Sequence, residues 1–199
     1  MKTELEKCLA GENFNGGDPE LVAMTLRTKR LLAKLNSTDY GDAAERDRII
    51  REIFGSAGRN VCVDIDFHCE YGKNIHVGDD VIINMNCTFV DNNSIDIGSK
   101  VMIASDVKIY TATHSSSFLD YAGDSEATDF QKNFGRTLYA KPIRIEDGAW
   151  IGGGSVILPG VTIGARSVVG AGSVVTRDIP ADCVAVGNPC RVIKMVNGI

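Results

Sequence analysis

From Ile145 onward a branched aliphatic residue returns at every sixth position: Ile145, Ile151, Ile157, Ile163, Val169 and Val175. The blocks read IEDGAW, IGGGSV, ILPGVT, IGARSV and VGAGSV. Their fifth residue is always small or compact: Ala149, Ser155, Val161, Ser167 and Ser173. A strict six fits neither the helix period of about 3.6 nor the strand period of about 2. It fits a parallel β-helix, in which each block supplies one short strand and its corner. Three blocks then close a triangular coil of roughly 18 residues. The leading residue points into the prism, and the small residue and glycine let the backbone turn.

The same phase is read earlier at Ile65, Tyr71, Val77, Ile83 and Phe89, and again, after a two-residue slip, at Ile97, Ile103 and Ile109. On that register Cys69 and Cys87, both at fifth positions, stack in neighbouring coils as small buried filler.

Two stretches follow other rules. From Pro19 to Asn36, Leu21, Met24, Leu31, Leu32 and Leu35 recur at helical spacing, with Asp18 as N-cap before Pro19. A second helix is expected from Ala43 to Phe54, the two capping one end of the prism. Between His114 and Pro142 the hexapeptide phase is lost. A loop this long inside a domain points to function, and Tyr121, Phe130, Phe134 and Tyr139 strengthen that reading. The expected organisation is a helical cap at 1–58, a β-helix at 59–180 with a protruding loop at 115–141, and a tail at 181–199 that leaves the repeat.

Composition narrows the functional classes. Glycine is abundant at 21 residues while aromatics are only 7%, a composition that calls for a search for repeats. The net charge of −5 argues against a dedicated nucleic-acid binder. No apolar run approaches the ~20 residues of a membrane span. The first residues lack the apolar core of a secretory signal, so the expected site is the cytoplasm. The six cysteines are then read as thiols, and with no CxxC pair a zinc ribbon is not expected.

Of the three histidines, His68 and His76 fall within coils, facing solvent or a neighbouring subunit. His114 ends the block IYTATH directly before the long loop, where a rigid scaffold delivers a side chain to a mouth. An unperturbed imidazole, with a pKa of about 6.5, suits a general base near neutral pH.

The segments EKCLAGENFNGGDPEL, YGKNIHVGDDVIINMNCTFVDNNSIDIGSKV, TATH, AWIGGGSVILPGVTIGARSVVGAGSVVTRDIP and VAVGNPCRVIKM together resemble the maltose and galactoside O-acetyltransferases, over nearly the whole chain. The resemblance implies a left-handed parallel β-helix, a homotrimer with sites between subunits, and acetyl-CoA as donor to a sugar hydroxyl, with no metal. It implies His114 as general base, with Asn84 holding the histidine and the reacting groups. Glu70, Asp91, Asn92 and Asp18 fall at acceptor-side positions. On the donor side, Gly153 matches a position whose N–H faces the thioester, and Trp150 matches a tryptophan beside the pantetheine arm. Ala171, Thr176, Arg177, Arg191 and Lys194 match CoA-contacting positions. The sequence departs from the family pattern in Ser115 after the histidine, in a longer following loop, and in Asn15-Gly16-Gly17 near the first long helix. All three departures lie on the acceptor side, so an amine, an oligosaccharide or a xenobiotic hydroxyl stays open as acceptor. Two readings from other classes are a metal-dependent hydratase using the three histidines and a silent assembly module.

Overall fold

Three parallel sheets, visited in turn, wind the chain into a three-sided prism. The computed structural model describes residues 1–114 and 138–196. The first face contains β1 (Ser56–Ala57), β4 (Ile75–Val77), β7 (Ile95–Ile97), β12 (Ile143–Ile145) and β15 (Thr162–Ile163). The second contains β2 (Cys62–Val63), β5 (Ile82–Ile83), β8 (Met102–Ile103), β13 (Trp150–Ile151), β16 (Val168–Val169), β18 (Cys183–Val186) and β19 (Arg191–Met195). The third contains β3 (His68–Cys69), β6 (Thr88–Val90), β9 (Lys108–Tyr110), β14 (Val156–Ile157) and β17 (Val174–Val175). An antiparallel pair, β10 (Ala112–His114) and β11 (Leu138–Ala140), leaves the corner after β9.

The hexapeptide reading holds from Ile145 onward. The leading residues 145, 151, 157, 163, 169 and 175 are all buried, as are the fifth-position residues. The buried serine hydroxyls donate to backbone carbonyls, Ser167 to Gly164 at 2.6 Å and Ser173 to Gly170 at 2.6 Å, so no polar group is stranded there. The fourth position turns the corner with positive φ: Gly154 and Gly172 do this without strain, and Asp66, Asn86 and Asp106 do it in the earlier coils.

The early coils correct the register. Cys62 pairs with Ile82 and Ile82 with Met102, so these coils take twenty residues, whereas Trp150 pairs with Val168, eighteen on. The two extra residues sit at the corner between the third and first faces, twice over: once after Cys69 and once after Val90. Ile65 is therefore 39% exposed, and Tyr71 joins a separate small cluster with Cys8, Phe14, Leu21 and Ala140. Val63 and Cys69 take the inward positions instead. Cys69 stacks on Phe89, not on Cys87. Both thiols are free and buried, and burial raises their pKa, to about 11 for Cys87.

Two helices close the first coil. Helix α2 (Pro19–Ser37) starts at an Asp18 N-cap and α3 (Ala43–Ile53) at an Asp42 N-cap, close to the expected bounds. Leu32, Leu35, Ile49, Ile50 and Ile53 pack on the prism mouth, where Phe54, Phe67 and Phe89 meet edge to face at 5.7 and 5.1 Å. The short α1 (Glu4–Leu9) was not expected, although Thr3 and Glu6 form a capping box legible as T-x-x-E. At the far end the ladder outlasts the hexapeptide repeat: β18 still stacks on β16, and only β19 turns back antiparallel. Among the described residues no helix is long and apolar enough to cross a membrane.

Candidate functional site

The candidate residues fall on two different edges of the prism. Asn84 follows β5, Gly153 follows β13 and Ala171 follows β16, so all three occupy the corner between the second and third faces. Hydrogen bonds stitch this edge rung by rung: Asn84 N–H to Ile103 O, Ala104 N–H to Ile151 O, Gly152 N–H to Val169 O and Gly172 N–H to Gly153 O. Gly152 and Gly154 spend their N–H groups on the neighbouring coils, on Val169 O and Ser105 O. The N–H of Gly153, between them, has no backbone acceptor among the described residues. Beside this edge, Ile82, Met102 and Trp150 stand in one register row on the second face, 43%, 50% and 50% exposed. Arg191 and Lys194 lie on β19, opposite Val186 and Val184, at the far end of the same face.

His114, Glu70, Asp91 and Asn92 belong to the corner between the third and first faces. Thr176 and Arg177, after β17, lie further along that edge. His114 is exposed at the end of β10, directly opposite Leu138 of β11. Asn84 and His114 thus leave the prism at different corners with the third face between them. The expected Asn84–histidine partnership is not formed around one corner of one chain; the Asn84 amide instead donates to Ile103 O at 3.0 Å.

Two of the acceptor-side candidates are buried in the single chain. Asp91 does not face outward; it is fully buried, and its Oδ1 accepts from the N–H groups of Glu70 and Tyr71, each at 2.9 Å. It staples the widened corner where the two extra residues sit. Asn92 is also turned inward, its carbonyl accepting from Cys8 Sγ and Asn74 Nδ2. Asp18 caps α2 by accepting from Glu20 N–H at 2.9 Å. Glu70 also presents a partly open carboxylate, and it is held from α2: Thr25 Oγ1 donates to it at 3.1 Å and Lys29 Nζ approaches at 3.4 Å. Sequence reading missed Thr25 and Lys29, which lie over forty residues away in the chain and carry no motif.

Asp91 has a consequence for stability. Burial pushes its carboxyl up to about 7, and its Oδ2 has no hydrogen-bond partner among the described residues. Because the folded chain binds this proton more tightly than the unfolded chain, the contribution is complete below about pH 4 and is lost as pH rises through about 7. Relative to Asp91→Asn, the wild type is expected to lose on the order of 2–4 kcal/mol of stability between pH 4 and 8. Denaturant melts of both proteins across that range check this; a difference independent of pH contradicts it.

His76 pairs with Ser56 across the first face at 3.1 Å and His68 lies on the outward side of the third face. Among the described residues no three histidine, cysteine or acidic side chains gather as a metal site. The loop residues Tyr121, Phe130 and Phe134 lie outside the described residues; Tyr139 is on β11.

Comparison with known proteins agrees with this architecture. Residues 7–58 match the maltose acetyltransferase hexapeptide capping motif, and residues 142–177 match the bacterial transferase hexapeptide family of six repeats. The galactoside O-acetyltransferase of Escherichia coli is 38% identical over 96% of this chain and 89% of its own length. The crystal structure of a maltose O-acetyltransferase from Clostridium difficile is 42% identical, covers 99% of both chains and superposes with a TM-score of 0.89. A galactoside acetyltransferase solved with coenzyme A is 35% identical over 99% of this chain and 92% of its own, with a TM-score of 0.87. With the capping helices, the hexapeptide prism and full-length identity in agreement, the chain belongs to the maltose and galactoside O-acetyltransferase family of hexapeptide-repeat acyltransferases.

Proposed function

We propose that the protein transfers the acetyl group of acetyl-CoA to a hydroxyl of a small sugar, as a homotrimer whose active sites lie between subunits. The carrying observation is the division of the candidate residues between the two edges of the third face. Asn84, Gly153 and Ala171 stack along one edge, while His114 and Glu70 occupy the other. Three prisms set around a threefold axis bring the first edge of one copy against the second edge of the next. Thr176 and Arg177 then come from one subunit, Arg191 and Lys194 from its neighbour, and all three cations face the phosphates of one CoA. The exposed row of Ile82, Met102 and Trp150 beside the donor edge gives the neighbour and the pantetheine arm an apolar surface.

In this reading His114 takes the proton of the acceptor hydroxyl as its oxygen attacks the thioester carbonyl. The N–H of Gly153 receives the developing oxyanion. Collapse expels the CoA thiolate, which takes the proton from the imidazolium. No metal enters the chemistry, and the site of action is the cytoplasm, where acetyl-CoA is made and used.

Following thiol release from acetyl-CoA over a panel of sugars, amines and xenobiotic alcohols tests the proposal. Acceptor-dependent release with maltose, glucose or a galactoside, and acetyl ester in the product, is expected. Release only with amines would replace the sugar reading by the alternative acceptor class. Absence of both release and CoA binding would leave a silent assembly module.

A further inference from the structure

One side of α2 reaches the acceptor-side corner through three residues spaced as helix neighbours, Thr25, Thr28 and Lys29. Thr28, fully buried, donates to Tyr71 O at 2.6 Å. Lys29 Nζ donates to Cys69 O at 3.0 Å and sits 3.4 Å from Glu70 Oε2. Thr25 Oγ1 donates to Glu70 Oε1 at 3.1 Å. From beneath, Asp91 Oδ1 fixes the N–H groups of Glu70 and Tyr71. The backbone of Cys69, Glu70 and Tyr71 is thus held on two sides, and each oxygen of the Glu70 carboxylate has its own partner.

Stability does not account for this arrangement. The Lys29 and Glu70 side chains are 51% and 33% exposed, and an ion pair so open to water adds little to folding. What it fixes is direction and charge. A carboxylate offers about four acceptor positions; Thr25 and Lys29 occupy one on each oxygen, leaving one on each for a ligand. The ammonium also offsets the carboxylate charge. A pair of hydroxyls fits such a group, whereas a cationic ligand would meet Lys29. Glu70 lies two rungs below the coil that carries His114, about 10 Å along the prism at the usual spacing of strands. That separation is within the span of a sugar whose reacting hydroxyl is at the histidine.

We propose that Thr25 and Lys29 are positioning residues that aim the Glu70 carboxylate and offset its charge, so that the acceptor site selects neutral polyhydroxyl compounds over amino sugars. This rests on the reading of Glu70 as an acceptor contact. Lys29 itself acts through Glu70 and is not a catalytic residue.

The test uses the assembled enzyme and compares wild type with Lys29→Met, Lys29→Arg, Thr25→Val and Glu70→Gln. Each is assayed for kcat and KM with a neutral sugar, with the matching amino sugar as its ammonium ion, and with acetyl-CoA. Lys29→Met is expected to raise the neutral-sugar KM about tenfold, the size of one lost charged contact. It is expected to shift the kcat/KM ratio toward the amino sugar by a similar factor, with the KM for acetyl-CoA unchanged. Lys29→Arg should restore most of the preference, and Thr25→Val should raise the sugar KM by a smaller factor without changing kcat. Unaltered acceptor preference in Lys29→Met, while Glu70→Gln does raise the sugar KM, overturns the inference and leaves the Glu70 reading standing. Unaltered sugar KM in Glu70→Gln overturns both. A parallel rise in both KM values, with a lowered melting temperature, identifies Lys29 as a purely structural tie and also overturns the inference.

Discussion

Replacing His114 with alanine is expected to lower acetyl transfer about 10²- to 10⁴-fold, the range that a positioned general base supplies. CoA affinity should stay near that of the wild type, because in the proposed mechanism the imidazole takes the proton of the acceptor hydroxyl and does not hold the phosphates or the pantetheine arm. The fold should be untouched: His114 is exposed at the end of β10, and its backbone pairing with Leu138 does not depend on the imidazole. The loss should therefore appear in kcat, with little change in the KM for acetyl-CoA. Single-turnover kinetics and CoA titration on the same preparation check both halves. Near wild-type turnover would remove His114 from the mechanism.

The donor edge makes the second large prediction. Ala171 is exposed at the corner and lies one rung from Gly153, whose carbonyl accepts the N–H of Gly172 at 2.9 Å. An indole placed there by Ala171→Trp projects along the edge without entering the prism core. It should weaken CoA binding about 10- to 100-fold, the scale of one to three kcal/mol for steric overfilling. The KM for the acceptor should change little, because the added indole meets CoA and not the sugar. Calorimetric titration with CoA gives the affinity; an unchanged Kd would move the donor away from this corner.

How far such residues could be read from sequence depended on whether their neighbours were set by the repeat. Ile145 to Val175 were legible because the leading residues of each block must be buried for the coil to close, and every one is. Ile65 and Tyr71 were misassigned because the widened corner inserts two residues with no apolar mark of their own. What allows that insertion is Asp91, a buried carboxylate bonded to the next coil down, and nothing in its local sequence distinguishes it from an exposed turn residue. His114 could be singled out because it ends a block. The grip of Thr25 and Lys29 on Glu70 could not, since it joins a helix and a coil that only the folded cap brings together. The division of the candidate residues between two edges was likewise hidden until the sheet register fixed which corner each residue occupies.

That division is the central claim, and mixed oligomers test it directly. His114→Ala chains, nearly inactive alone, and Ala171→Trp chains, weakly active at acetyl-CoA well below their raised KM, are co-expressed with different tags, and the mixed species are purified through both and assayed at that low acetyl-CoA concentration. If every site draws His114 from one subunit and the Gly153–Ala171 edge from its neighbour, some sites in a mixed trimer receive both intact halves. Random assembly of equal amounts gives about a quarter of wild-type activity per site before tag selection, because each half is intact with a chance of about one in two. The account predicts recovery to that order, in a species near three times 21.4 kDa by sedimentation equilibrium. Mixed oligomers no more active than the two parents, or an active monomer, would show that one chain holds the whole site and would contradict it.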